Sequence, residues 1–231
     1  MRPDTFRKLN TMPAPAPIEI GNRQICEALA PFSISPTEDQ IAKIRDYVSI
    51  LLRWNRSISL TSITDPVEIV GRHFGESVYA SKVLPVENCR LADVGTGAGF
   101  PGLALKIACP SIQLLLIESN KKKCAFLSEV VRTLGFRDVE IRPERFEEIR
   151  PEPVLANLIT SRAVGEFKQL LRWSARALVR RGHLLLWVGA DDSTRIARTQ
   201  GWTWQPAVRI PDSQRRFILI GRPIDDLPPQ K

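Results

Sequence analysis

Residues 93–102 read DVGTGAGFPG and place Gly95, Gly97, Gly99 and Gly102 within eight positions. An apolar RLADV leads into the stretch and a helical LALKIA follows it. Glycines between a strand and a helix let the backbone turn tightly and come close to a ligand. Two ligand classes suit the spacing. From Gly97, GAGFPG satisfies the G-x-G-x-x-G of dinucleotide sites; from Gly95, GTGAG with Asp93 two residues ahead has the G-x-G-x-G form of nucleoside methyl-donor sites. A pyrophosphate seeks free helix N-terminal amides away from carboxylates. S-adenosylmethionine carries a sulfonium and an ammonium and no phosphate, so Asp93 favours it. Pro101 also lacks an amide that a phosphate cradle would use.

Three further side chains stand where an open α/β sheet binds ligands, beyond strand carboxyl ends. IQLLLIE ends in Glu118, whose carboxylate can accept both ribose hydroxyls of either ligand class. RFEEI (145–149) offers Glu147 to an adenine amino group, or simply a solvated loop acid. LITSR ends in Arg162, suited to stacking on a base, to binding a phosphate, or to a surface ion pair. Methyl transfer from a sulfonium is an in-line displacement that needs mainly positioning. The ITSRAV segment has no [DN]-P-P-[YF] loop for exocyclic amines and no cysteine nucleophile for base carbons. A ring nitrogen with a free lone pair, such as guanine N7, needs neither.

The elements that must hold these residues follow from periodicity. Ser35, Pro36 and Glu38 suggest a helix start, and Ile41, Ile44, Val48, Leu51 and Leu52 recur at helical spacing. Asp65-Pro66 with Glu68 repeats the start signal, so helices are expected over 35–85. From residue 90, strands (RLADV, IQLLLIE, VEIR, LITSR, HLLLWVG) alternate with helices after the glycine loop, at KKKCAFLSEVVRTLGF and over 165–181. AVRI and RFILI close the chain as an antiparallel pair across PDSQRR. The expected architecture is a doubly wound, mostly parallel sheet with an antiparallel last strand and an N-terminal helical extension. Residues 1–34, with PAPAP and no periodicity, read as a mobile arm ahead of a single domain over 35–231.

The bulk numbers exclude some classes and favour others. The chain has 231 residues, a net charge of +8 and no apolar run of membrane-spanning length. The N-terminus has no apolar signal region, and the four cysteines are scattered without a C-x-x-C, which fits a reducing cytoplasm and no metal. The positive balance favours a polyanion partner. Lys168, Arg172, Arg176 and Arg180 recur at four-residue steps as one basic stripe, able to track an RNA backbone or merely to face solvent, and Arg215-Arg216 adds a second basic spot.

Taken in order, WNRSISLTSITDP, RHFGES, DVGTGAGFPG, ESNKKKCAFLSEV, RFEE and TSRAV resemble the bacterial 16S rRNA 7-methylguanosine methyltransferases, the RsmG or GidB family, from about Trp54 to Arg216. The resemblance implies a class I SAM-dependent methyltransferase that modifies guanine N7 in small-subunit rRNA, free or in the assembled subunit, as a cytoplasmic monomer with no membrane contact. Gly95 and Phe100 would line the donor site with Asp93 and Gly97. Glu118, Ser119 and Asn120 would contact its ribose and adenine side, and Phe146 and Glu147 would flank the adenine. Arg162 would face donor and acceptor as the catalytic residue. His73 would lie by the cleft, with Lys168, Arg172, Arg176 and Arg215 towards the RNA. Glu118 stands where the family usually has Asp, Glu76-Ser77 replaces Asp-Ser, Asn157 replaces a frequent Asp, and Val188-Gly189 replaces Lys-Gly. The valine leaves open an assembly factor that binds rRNA without turnover, and GAGFPG leaves open an NAD-dependent oxidoreductase.

Overall fold

A computed structural model describes residues 20–151, 156–162, 165 and 167–224. Five strands run parallel: β1 (Arg90–Val94), β2 (Gln113–Ile117), β3 (Val139–Arg142), β4 (Ala156–Arg162) and β5 (Leu178–Gly189). Then follow β6 (Trp202–Trp204), β7 (Val208–Arg209) and β8 (Arg216–Pro223). The order is β3-β2-β1-β4-β5-β8-β6, with β7 also on β8, and β8 is antiparallel to β5. The order reverses between β1 and β4, which opens the crevice at their carboxyl ends.

The unbroken apolar run of β2 serves two layers. Leu114 and Leu116 point into one core and Leu115 and Ile117 into the other, as a pleated strand covered on both faces requires. The first core lies under α6 (Gly102–Ala108), α7 (Lys121–Thr133) and the N-terminal helices; the second lies under α8 (Phe167–Ala177) and α9 (Ala190–Ala197).

The N-terminal extension comprises α1 (Asn22–Leu29), α2 (Glu38–Asn55), α3 (Pro66–Ile69), a π-turn over Val70–Gly75, α4 (Glu76–Val78) and α5 (Ala80–Val83). Asp65 caps α3 through the Glu68 amide, as its position suggests. The α2 cap is Thr37 rather than Ser35, with Gln40 rather than Glu38 closing the capping box. Gln40 is thereby fixed so that its Nε2 donates to the Ile107 and Ala108 carbonyls at the end of α6. Trp54 donates to Glu129 of α7 at 2.7 Å, and Arg53 pairs with the same carboxylate. The helices are thus bolted to the layer that carries the glycine loop.

Two expectations are corrected. The mobile arm expected over 1–34 does not hold for its described part: residues 1–19 lie outside the described residues, and α1 and the turn Ala30–Phe32 fold, burying Ile25, Leu29 and Phe32. Phe32 covers Gly75 so closely that a Cβ there would sit 2.4 Å from its ring, a tertiary contact that local periodicity does not reveal. The helix expected over 165–181 ends at Ala177. Leu178 pairs with Ala156 on β4 and the chain turns at Arg181 (φ 64°), so Arg180 leaves the helical stripe for β5. Leu29→Ala should therefore destabilise the whole domain by about 2–5 kcal/mol in denaturant unfolding; an unchanged midpoint would return this segment to an arm.

Candidate functional site: the glycine loop and an arginine-lined cavity

The loop after β1 has a buried underside and an open face. Asp93 is fully buried. Its carboxylate accepts from the Thr96 hydroxyl, from the Gly102 amide at 3.0 Å and from the Thr160 hydroxyl at 2.8 Å. The Gly102 amide is the first of α6, so Asp93 caps that helix from nine residues away and meets its positive end. The Gly102 Cα lies so near that a Cβ would stand 2.9 Å from the Asp93 carboxylate, which explains the last glycine of the motif. Gly99 (φ 85°) has the same character: a Cβ would stand 2.2 Å from the Tyr47 hydroxyl, which donates to the Ala98 carbonyl at 2.6 Å.

Phe100 is buried as well. Its ring stacks on Tyr47 of α2 (5.3 Å, 14°) and on His73 of the π-turn (4.9 Å, 23°), with Phe74 edge-on. Asp93 and Phe100, expected to line the donor site, therefore hold the loop from beneath. His73 is part of that stack, and its Nε2 bonds the Thr61 hydroxyl at 2.8 Å. Burial, with Arg162 and Arg72 adding to it, lowers its pKa to about 3, so the ring is neutral.

Gly95 is exposed and Gly97 half-buried on the open face. Glu118, at the end of β2, is 8% exposed and accepts from the Gly97 amide at 3.0 Å and the Asn120 amide at 2.8 Å. The two loops are thus joined across the crevice by one carboxylate with lone pairs to spare. Ser119 and Asn120 are exposed, but the Asn120 side chain is occupied as the α7 cap on the Lys122 and Lys123 amides. Phe146 lies buried against Trp173, and Glu147 beside it is exposed. With the Gly97 and Gly102 amides held by carboxylates, the loop lacks the free donors of a phosphate cradle. The dinucleotide reading loses its physical basis there.

Next to this loop lies a second feature. Glu76, 2% exposed, is surrounded by three arginines: Arg216 at 2.8 Å, Arg162 at 3.3 Å and Arg72 at 3.7 Å. Arg162 also donates to the Arg72 carbonyl at 3.1 Å, and Trp187 to the Glu76 carbonyl at 2.9 Å. Burial lowers the pKa of the Arg162 guanidinium; Glu76 opposes the shift and Arg216 and Arg72 add to it. Sheet register builds the cluster, pairing Arg162 with Trp187 and Gly189 with Arg216. A cavity of about 430 Å³ opens here, lined among others by Arg162, Arg216, Phe167 and Val188.

Of the basic residues expected at the RNA, Lys168, Arg172 and Arg176 lie exposed along α8, and only Phe167 of that helix lines the cavity. Arg215 is exposed beside Arg216, and it is Arg216 that turns inward. Sequence reasoning missed Tyr47, Glu76 and Phe167 as parts of the site. Only the Glu76 position carried a signal, as the acid of RHFGES.

The sequence model of the GidB family, rRNA small subunit methyltransferase G, matches residues 40–205. The chain belongs to this family. It is 38% identical to Ribosomal RNA small subunit methyltransferase G of Dichelobacter nodosus, across 71% of this chain and 76% of that protein. It is 32% identical to the protein of the same name from Photobacterium profundum, across 86% and 96%. Among solved structures, a SAM dependent methyltransferase from Aquifex aeolicus aligns with a TM-score of 0.57 at 17% identity, covering 68% of this chain and 93% of that one. A ribosomal protein L11 methylase from Lactobacillus delbrueckii subsp. bulgaricus aligns at 0.54 and 15%, covering 67% and 80%. The fold is the class I SAM-dependent methyltransferase fold, and S-adenosylmethionine is the family's cofactor. No helix among the described residues is long and apolar enough to cross a membrane.

Burial raises the Asp93 pKa from 3.8 to about 6, against its three hydrogen bonds and with a smaller push from Glu118. A carboxyl whose pKa rises on folding holds its proton more tightly when folded. Its contribution to stability is therefore full below about pH 4 and is lost as pH rises through about 6. Unfolding free energy of wild type minus that of Asp93→Asn should fall across this window and level off above it; a flat difference would show that Asp93 does not titrate there.

Proposed function

We propose that this chain transfers a methyl group from S-adenosylmethionine to N7 of a guanosine in 16S small-subunit rRNA. The observation that carries the reading is the pair of carboxylates that close the glycine loop to phosphate while leaving its open face acidic. When bound, the donor supplies a methyl group on a cationic sulfur. Gly95 and Gly97 would receive it along the backbone, Glu118 would accept its ribose hydroxyls, and Ser119, Asn120 and Glu147 would border its adenine. Asp93, Phe100 and Phe146 act from beneath by fixing the loops, and His73 by stacking on Phe100.

The acceptor belongs in the arginine-lined cavity. The N7 lone pair forms the new N–C bond as the C–S bond breaks and its electron pair stays on sulfur. No proton leaves the base, so no general base is required. That balance explains a site built from positioning groups. Arg162 is held by Glu76 and the Arg72 carbonyl at the end of β4, one strand from the glycine loop. From there it donates to the acceptor base as the residue in contact with both substrates. Lys168, Arg172, Arg176 and Arg215 would bear on the RNA backbone from the rim. The chain acts as a monomer in the cytoplasm, on free rRNA or the small subunit.

Digested 16S rRNA from cells lacking the gene should contain no 7-methylguanosine at the modified position by mass spectrometry; unchanged modification would exclude the reading. Glu118→Ala should weaken S-adenosylmethionine binding by about 10- to 100-fold in calorimetry, the loss of charge-assisted hydrogen bonds. Arg162→Ala should lower kcat by about 100-fold or more, with a smaller loss of S-adenosylmethionine binding because the side chain also faces the donor.

A further inference from the structure

The cavity that takes the acceptor contains one carboxylate, among the described lining residues, outside the Glu76 cluster. It is Asp192, in the first turn of α9. Asp191 also sits in that turn, where either acid suits the helix dipole, but only Asp192 lines the cavity. Its Oδ1 accepts from Arg195 Nη2 at 2.6 Å. Arg195, which also lines the cavity, is itself steadied over the Phe167 ring, its guanidinium carbon 5.7 Å from the centroid. The carboxylate is thus oriented from outside while its side chain remains 43% exposed. At about 430 Å³ the space lies within the roughly 300–1,000 Å³ of small-ligand pockets.

Resting on the methyltransferase reading, we propose that Asp192 selects guanine, its carboxylate accepting the N1–H and N2 amino hydrogens of the acceptor base. Guanine alone among the four bases presents two adjacent donors on its Watson–Crick edge. Adenine and cytosine place a ring-nitrogen lone pair beside their amine, and uracil flanks its single N–H with carbonyls, so each repels a carboxylate there. A purine held by that edge presents N7 on its opposite side. β5, which leads into α9, lies two strand spacings from β1, roughly 10 Å. A base gripped at α9 with its opposite side turned to β1 would present N7 towards the glycine loop. The same contact strengthens during reaction. As N7 gains the methyl group the ring becomes cationic and its N1–H more acidic, so a carboxylate there binds the transition state more tightly than the ground state.

The test compares 16S rRNA carrying guanosine or inosine at the acceptor position. Inosine lacks only the N2 amino group and keeps N1–H and N7. Wild type should methylate inosine with a kcat/KM lower by about 10-fold or more. Asp192→Asn should lower kcat on guanosine by a similar factor and bring the guanosine-to-inosine ratio close to one. Asp192→Glu, which keeps the carboxylate, should retain most of the ratio, and Arg195→Ala should raise KM while keeping it. Unchanged S-adenosylmethionine binding by each variant verifies the fold. An Asp192→Asn enzyme with wild-type efficiency, or with the wild-type ratio, would overturn the proposal. A wild type that methylates guanosine N7 with a ratio near one would also overturn it and leave the methyltransferase reading standing. A wild type that methylates neither RNA would remove both.

Discussion

A fully buried carboxylate ties three elements of the site together. Asp93 accepts from Thr96 in the glycine loop, from the first amide of α6 and from Thr160 on β4. Burying it is costly, as its raised pKa records, and the three donors offset that cost. Because those donors belong to different elements, the loop, the helix and the neighbouring strand keep one relative placement. From the other side Phe100 is clamped between Tyr47 and His73, so the N-terminal helices complete the loop's support. The open face of Gly95 and Gly97 is thus supported from beneath by buried groups.

The arginine cluster works by a related device, a buried carboxylate whose partners are charged guanidiniums instead of neutral donors. Glu76 is buried, and three guanidiniums converge on it from the π-turn, β4 and β8. Removing one partner of such a cluster would leave charge uncompensated in a poorly hydrated place. The arrangement leaves more positive than negative charge at the cavity and points it where an anionic RNA would arrive. Val188 lines that cavity, and Arg195 brings a cation to the same wall from α9. The basic residues Lys168, Arg172 and Arg176 of α8 do not line this cavity.

Much of the sheet was legible in the residues. The glycine spacing, the greasy run ending in Glu118 and the strand–helix alternation all report local constraints: backbone freedom, two-sided burial and period. The antiparallel RFILI strand was legible for the same reason. The edge strand β6 was not, because WTW is only three residues long and its pairing to β8 is set by a distant partner. The end of α8 was misplaced because ALVRR carries helix-forming residues, while pairing of Leu178 to Ala156 overrides that propensity.

By itself the sequence determined that the loop suits a nucleoside-type ligand of one of two classes and which family the chain resembles, since both rest on residue types at fixed short spacings. It could not say which motif residues face the ligand. Asp93 and Phe100 stand inside the motif yet point into the core, whereas Glu118 reaches across to Gly97 from 21 positions away. Nor could spacing bring Glu76, Arg162 and Arg216 to one point, because those contacts span 86 residues or more and exist only once β4, β5 and β8 are in register. Side-chain direction and long-range charge pairing depend on packing, and packing is decided by the folded chain as a whole.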